Sequence, residues 1–138
     1  MSKKSKKKKT KRNVWSDPLV ASDDKDDIRV MIIKPYEPPR IEVMPFDMDK
    51  FMEIIGSKEF THHINYEYGF LFFYDEKGEE KGLPLNMTCY SNAGSYYKLY
   101  GTVIVFGYTY HDFMNLTDEQ AYMLTEVWAR GYYLSNRQ

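Results

Sequence analysis

The sequence predicts an α+β fold: an antiparallel or mixed sheet of four to six strands, two amphipathic helices packed on one face, and a disordered basic N-terminal tail. Strand-length apolar runs alternate with turn residues, and two segments repeat apolar residues at helical spacing. A chain of 138 residues is long enough for one hydrophobic core. We therefore expect a tail and linker over residues 1–27 and a single domain over residues 28–138.

Three apolar segments predict strands at the two ends of the domain. Ile28 to Ile33 is rich in β-branched residues and stops before Pro35, and Arg40 to Met44 is a short second candidate. Thr102 to Phe106 lies between two glycines and is the best candidate for a central strand.

Residues 61–86 are predicted to form antiparallel strands. Phe70 to Tyr74 is apolar and aromatic, and Asp75 and Gly78 suit the first and fourth positions of a type I turn, with Gly78 at positive φ. A returning strand is expected from Glu79 or Glu80 to about Leu85. Residues 87–99 are compatible with either a helix or a long loop.

Two helices are predicted from their caps and apolar stripes. Asp47 suits an N-cap, Gly56 suits the C-terminal stop, and the stripe between them is Met48, Phe51, Met52 and Ile55. The second helix opens on the capping box Thr117-Asp118-Glu119-Gln120 and ends at Arg130-Gly131. Its apolar face is expected to be Ala121, Leu124 and Trp128. Phe51 and Trp128 should both be largely buried.

The first 12 residues carry a concentrated positive charge. They contain eight basic side chains and no acid, whereas residues 13–138 contain 11 basic and 20 acidic side chains. The tail is either a solubilising segment that screens the acidic body or a contact for nucleic acid that is indifferent to sequence. Its basic residues are Lys3, Lys4, Lys6, Lys7, Lys8, Lys9, Lys11 and Arg12. Trp15 in the following linker is expected to dock on the body or to contact a partner.

Several functional classes are disfavoured by composition. No apolar run approaches the roughly 20 residues of a membrane helix, and no apolar segment follows the charged N-terminus, so we expect neither a membrane partner nor a secretory signal. A single cysteine, Cys89, fits a reducing compartment. These observations favour an intracellular protein.

No residue pattern predicts catalysis, a metal or a cofactor. His62 and His63 would point to opposite faces of a strand, so they could not both bind one metal ion. The only other histidine and the only cysteine in the sequence are His111 and Cys89. Cys89 lacks the local signature of a nucleophile and is expected to be a small buried apolar group. The sequence has no glycine-rich phosphate loop and no GxSxG motif. We expect a protein that is not an enzyme, with no catalytic residue and no cofactor.

A macromolecular contact surface is expected instead on residues 66–86, where tyrosines and acids expected to be exposed occur together. The alternative is a solvated turn in which Gly78, Pro84 and Asn86 serve only the backbone. The predicted interaction patch comprises Tyr66, Tyr68, Tyr74, Asp75, Glu76, Glu79, Glu80 and Asn86.

The order of these features resembles the domain of unknown function 3846 family, which is found in bacteriophages and mobile elements. The likeness is carried by the opening strand with its proline-rich exit, by the helix that ends at Gly56, and by the segment Asp75 to Asn86. Gly101 to Gly107 and Leu116 to Gln120 also fit, so that residues 28–126 are covered.

The resemblance implies a phage or mobile-element accessory protein that acts inside a bacterial cell. Because the residues show no catalytic pattern, and by analogy with small phage accessory proteins, we expect a non-catalytic protein that binds a host or phage macromolecule. One role expected for such a protein is to counter host defence. A nucleic-acid-associated protein that uses its basic tail and a protein that sequesters a small nucleotide are the alternatives. The oligomeric state is left open.

Overall fold

The computed structural model describes residues 27–90 and 96–129, which form eight strands and two helices and confirm the α+β class. The predictions for the basic tail, the linker with Trp15 and the segment Arg130-Gly131 concern residues outside these ranges. The elements are, in chain order, β1 (Asp27–Ile33), β2 (Arg40–Pro45), α1 (Met48–Ile55), β3 (Phe60–Asn65), β4 (Phe70–Asp75), β5 (Leu85–Tyr90), β6 (Tyr96–Tyr100), β7 (Val103–Thr109), β8 (Asp112–Met114) and α2 (Asp118–Ala129).

Six of the strands form one antiparallel sheet. Its order is β2-β1-β7-β4-β3, and the short β8 pairs with the end of β7. The strand β7 lies between β1 and β4, as its run of β-branched residues predicts for a central strand. The strands β5 and β6 pair with each other in a separate two-stranded sheet, so residues 85–90 and 96–100 are strands where the sequence allowed a helix or a loop.

The six-stranded sheet has a core on each of its two faces. Ile32, Phe73 and Phe106 belong to one buried cluster, and Phe51 of α1 packs into it. Met31, Phe72 and Val105, which alternate with those residues along the strands, belong to the other cluster together with Leu124 of α2 and with Cys89 and Leu99 of the small sheet. The two helices therefore cover opposite faces of the sheet, and the expectation of both on one face is wrong. Successive core residues of β1, β4 and β7 alternate between two buried surfaces, so each surface needs its own cover.

The helix α1 has the predicted boundaries, but only Phe51 and Ile55 of the predicted stripe are buried, and Met48 is 42% exposed. The carboxylate of Asp47 accepts a hydrogen bond from the backbone N–H of Asp49, 3.0 Å away. Gly56 ends the helix in the left-handed region at φ 86°, and its N–H donates to the carbonyl of Met52. Phe51 is fully buried, which confirms the prediction, and Ile55 lies beside it in the same cluster.

The helix α2 begins with the predicted capping box, but its last turn is not buried. The backbone N–H of Gln120 donates to the Thr117 hydroxyl, and the N–H of Thr117 donates to Oε1 of Gln120, both at 3.0 Å. Ala121 and Leu124 are buried as expected, whereas Trp128 is 40% exposed, so its predicted burial is wrong. Trp128 lies at nearly the same angle around the helix as those two residues. The neighbouring Val127 packs against the buried cluster, so the last turn of α2 contacts the core through Val127 and not through Trp128.

The predicted strand that returns from Glu79 or Glu80 does not form. Both edges of β4 are already paired, one with β3 and one with β7. Residues 76–82 instead form consecutive turns, and the next strand begins at Leu85. The first of these turns closes with a hydrogen bond of 3.2 Å from the N–H of Gly78 to the carbonyl of Asp75, as the turn prediction requires.

Gly78 is needed for a different reason from the one predicted. It is not among the glycines with positive φ. A Cβ atom at this position would lie 2.9 Å from the Cβ of Tyr100 and 3.2 Å from the Tyr100 carbonyl oxygen. The close approach of β6 to the turn therefore excludes a side chain at residue 78.

Candidate functional site

The structure divides the predicted interaction patch between the two ends of β4. Tyr66 and Tyr68 lie in the turn between β3 and β4, whereas Tyr74 to Asn86 lie at the far end of the strand and beyond it. A strand of six residues separates its ends by about 17 Å. The predicted residues therefore form two separate surfaces.

At the far end, Asp75 is a structural residue. It is only 3% exposed, so the expectation of an exposed acid at this position is wrong. Its carboxylate accepts hydrogen bonds from the backbone N–H of Lys77 at 2.9 Å and from Nζ of Lys81 at 2.8 Å. Burial by itself raises the pKa of Asp75, but these bonds and the Lys81 charge outweigh it and leave the pKa below its ordinary value.

Asn86 also serves the fold. Its amide Nδ2 donates to the carbonyl of Ile33 at 2.9 Å and to that of Gly101 at 2.7 Å, which ties β5 to the end of β1 and to the turn before β7. Tyr74 is half-buried. The remaining predicted residues here, Glu76, Glu79 and Glu80, are exposed. They are interspersed with Lys77 and Lys81, so this end of the molecule has mixed charge.

A concave surface lies at the other end of β4, between the β3–β4 turn and α2. We call it the α2 groove. It encloses about 690 Å³ beside α2, and a smaller hollow of about 350 Å³ continues from it past Gly69 toward the end of β7. Its lining includes Tyr66, Glu67, Tyr68, Glu119, Gln120 and Tyr122.

Gln120 fixes the geometry of the α2 groove. Its Nε2 donates to the carbonyl oxygens of Tyr68 and Gly69, both at 2.9 Å. The Asn65 side chain stabilises the same turn by accepting a hydrogen bond of 3.0 Å from the N–H of Tyr68. One side chain therefore completes the helix cap and attaches the helix to the turn.

Gly69 allows this close contact between the helix, the turn and β7. Its φ is 74°, and a Cβ atom would lie 3.2 Å from the Tyr108 carbonyl and 3.3 Å from Nε2 of Gln120. The Gly69 carbonyl also accepts a hydrogen bond of 2.8 Å from the N–H of Tyr108. Both the backbone conformation and the lack of space favour glycine here.

The α2 groove is acidic and aromatic. Glu67 and Glu119 are exposed at its rim, Glu126 also lines it, and no Lys, Arg or His is among the described residues that line either part. Burial, and then the Glu67 carboxylate, raise the pKa of Tyr68. Burial, followed by the effects of Tyr66 and Asp112, raises the pKa of Tyr108. Burial first, and then the neighbouring groups, therefore oppose the loss of the phenolic protons of Tyr68 and Tyr108.

Sequence reasoning found Tyr66 and Tyr68 but missed the contribution of α2 to the groove. Glu119, Tyr122, Met123 and Glu126 recur at spacings of three and four residues, which puts them on one side of a helix. This periodicity was available in the sequence. Their position opposite the β3–β4 turn was not, because it depends on the side-chain contact of Gln120 with residues about 50 positions earlier.

None of the residues considered for catalysis is among the described residues that line the α2 groove. Burial raises the pKa of the Cys89 thiol to about 12, so the nucleophilic thiolate is scarce near neutral pH. His62 is exposed and His63 is half-buried on the edge strand β3, while His111 is exposed after β7. Within residues 27–90 and 96–129, no three His, Cys, Asp or Glu side chains are placed to hold a metal ion. In the same ranges, no helix is long and apolar enough to cross a membrane.

Comparison with known proteins gives one match. The family model described as "Domain of unknown function (DUF3846)" matches residues 28–129. No curated protein and no solved structure matches the chain. The matched segment begins in β1 and ends with α2, so it includes the six-stranded sheet, the small sheet and every element of the α2 groove.

Proposed function

The chain belongs to the domain of unknown function 3846 family, and we propose that it is a non-catalytic accessory protein of a phage or mobile element that binds a basic segment of a host or phage protein in the α2 groove. Its place of action in this proposal is the cytoplasm of a bacterial host. The observation that carries the proposal is the acidic, tyrosine-lined groove with its rigid attachment through Gln120.

The charge and the aromatic rings of the groove support a cationic ligand. Carboxylates at Glu67 and Glu119 attract lysine and arginine side chains over a range of about 10 Å at moderate salt. Tyr66 is 73% exposed and Tyr122 is 68% exposed, so their rings are available to a partner. A lysine or arginine positioned over the face of a tyrosine ring is attracted by its quadrupole.

The same features disfavour the alternatives on the folded body. A nucleotide or a nucleic acid brings phosphate charges, which Glu67 and Glu119 repel. Nucleic-acid binding therefore stays a proposal for residues 1–12 alone, where eight basic side chains occur together. Its signature is a steep loss of affinity with added salt.

The proposal is tested with a fluorescent twelve-residue peptide that alternates arginine and serine, titrated into the full chain at low salt and followed by anisotropy. We expect saturable binding that the double variant Glu67→Gln, Glu119→Gln weakens by about tenfold or more, since two charge contacts are lost. The matched control Glu76→Gln, Glu79→Gln makes the same charge change at the other end of β4 and should leave the affinity unchanged. Equal affinity in the groove variant and the native chain would remove the groove from consideration.

A further inference from the structure

We infer that the basic tail of this chain, residues 3–12, docks in its own α2 groove and competes there with the partner segment. This inference rests on the proposed function, because it assigns a regulator to the same site. Two observations carry it, namely the complementary charge of tail and groove and the position at which the chain joins the fold.

The charges of the two parts are opposite and concentrated. The tail carries eight basic side chains and no acid, while the groove has Glu67 and Glu119 at its rim and Glu126 along its side. No described basic residue lines the groove to compete with the tail. At the other end of β4, by contrast, the acids are interspersed with Lys77 and Lys81, and Lys81 already binds Asp75. The groove is therefore the better match for a cationic segment.

The first strand begins next to the start of α2. The N–H of Arg29 donates to the side chain of Asn115 at 2.7 Å, and the Arg29 guanidinium contacts the Leu116 carbonyl at 3.1 Å and the Asp118 carboxylate at 2.8 Å. Asn115 also lines the smaller hollow that continues from the groove. The tail is consequently attached to the body at the end of the sheet where the groove lies.

The linker is long enough for this docking. Residues 13–26 separate the tail from Asp27, and such a segment spans at most about 50 Å when extended. The helix α2 along which the groove runs has 12 residues, a length of about 18 Å. Attachment through a segment of this length presents the tail to the groove at an effective concentration on the order of millimolar. Even a weak contact between tail and groove is then well populated.

The docking is tested on the full chain with fluorotyrosine incorporated for fluorine NMR. Tyr66 and Tyr122 report on the groove, and Tyr36, which is 85% exposed beyond the opposite end of β1, serves as the internal control. Single tyrosine-to-phenylalanine variants assign the three signals. The comparison is between the native chain and a chain whose eight basic tail residues are replaced by glutamine, which keeps the length and removes the charge.

We expect the signals of Tyr66 and Tyr122 to differ between these two chains and that of Tyr36 to coincide. Raising salt from about 0.05 M to about 0.5 M should move the native groove signals toward those of the neutralised chain, because screening weakens the contact. In a chain that carries Glu67→Gln and Glu119→Gln, neutralising the tail should no longer move the signals of Tyr66 and Tyr122. Identical groove signals in the native and neutralised chains would overturn the inference.

The arginine peptide separates this inference from the proposed function. If the tail occupies the groove, the neutralised chain should bind the peptide about tenfold more tightly than the native chain, and still through Glu67 and Glu119. Groove-dependent binding of equal strength in both chains would reject docking of the tail and leave the proposed function standing. Peptide binding that does not depend on Glu67 and Glu119 in either chain would reject both the docking of the tail and the proposed function. Groove signals that vary with protein concentration would show that the tail binds a second copy, against docking within one chain.

Discussion

Gln120 attaches the first turn of α2 to the backbone of Tyr68, with 2.9 Å between its Nε2 and the Tyr68 carbonyl oxygen. The same side chain accepts the hydrogen bond that completes the capping box at Thr117. The N-terminal cap of α2 and the wall of the α2 groove therefore depend on one residue.

Replacing Gln120 with alanine should lower the free energy of unfolding by about 1–3 kcal/mol, because a cap bond is lost and the carbonyls of Tyr68 and Gly69 each lose the hydrogen bond from Nε2, although Gly69 keeps its bond from Tyr108. Urea denaturation measures this loss. The variant Thr117→Ala removes the cap partner but leaves the bonds to the β3–β4 turn, and should cost about 1 kcal/mol. Gln120→Ala should also weaken binding of the arginine peptide, whereas Thr117→Ala should not. Equal effects of the two variants on the peptide would show that Gln120 acts only as a cap.

Phe51→Ala should cost about 3–5 kcal/mol, because Phe51 is fully buried among aromatic rings, with Phe106 at a centroid distance of 5.2 Å. Trp128→Ala removes an even larger side chain but should cost about 1 kcal/mol or less, since Trp128 is 40% exposed. Thermal unfolding of the two variants ranks them directly. A larger loss for Trp128 would mean that the last turn of α2 is packed against something beyond its described contacts.

Lys81→Met should cost about 1–3 kcal/mol near neutral pH by leaving the buried Asp75 carboxylate without its charged donor. The direction in which this stabilisation changes with pH follows from the lowered pKa of Asp75. The stabilisation is present above the ordinary value of 3.8 and is lost as the pH falls through the lower pKa of the folded state. Lys77→Met is the matched control, because only the backbone N–H of Lys77 contacts Asp75. Similar stability curves for the two variants would contradict a role for the Lys81 ammonium group.

His63 should make the domain less stable in mild acid. Burial, with a smaller effect of His62, lowers the pKa of His63, and its buried Nε2 has no hydrogen-bond partner within the part of the chain that the structure describes. Below about pH 6.5, His63 of the unfolded chain binds a proton, whereas His63 of the folded chain remains neutral because its pKa is lower. The free energy of unfolding therefore declines as the pH falls from 6.5 toward the lowered pKa of folded His63. His63→Phe should remove this part of the decline, and His62→Phe should retain it. Unchanged pH dependence in His63→Phe would assign the decline to other groups.

The predictions that succeeded depend on residues close together in the sequence. Asp47 and Gly56 define α1, and Thr117 and Gln120 define the start of α2, because caps are formed by side chains within one helical turn of the backbone that they satisfy. The central position of β7 was also predictable, since a glycine-bounded run of Val, Ile and Phe suits a strand that is buried on both faces.

The predictions that failed depend on contacts between distant segments. The partner of β5 could not be inferred, because it is decided by which edges of β4 are already paired. The exposure of Trp128 depends on how the last turn of α2 meets the buried cluster, which it contacts through Val127. In the sequence, Asp75 cannot be told from an exposed aspartate in a turn. Its burial depends on the hydrogen bond from Lys81 and on the close approach of β6 at Gly78, which the sequence does not show. The α2 groove likewise required the position of α2 against the β3–β4 turn.

The pairing of β1 with β7 has a consequence for how the chain folds as it is synthesised. Met31 lies opposite Val105, and Arg29 bonds to Asn115 and Leu116, so the first strand finds these partners only after more than 70 further residues have been made. Contacts at such separations carry a high loop-closure entropy and slow folding. Until β7 leaves the ribosome, one edge of β1 has none of its native pairing and both of its apolar faces lack their full cover. Folding of this domain is therefore expected to wait until β7 has been made, with the newly made N-terminal half exposed to chaperones and proteases in the interval.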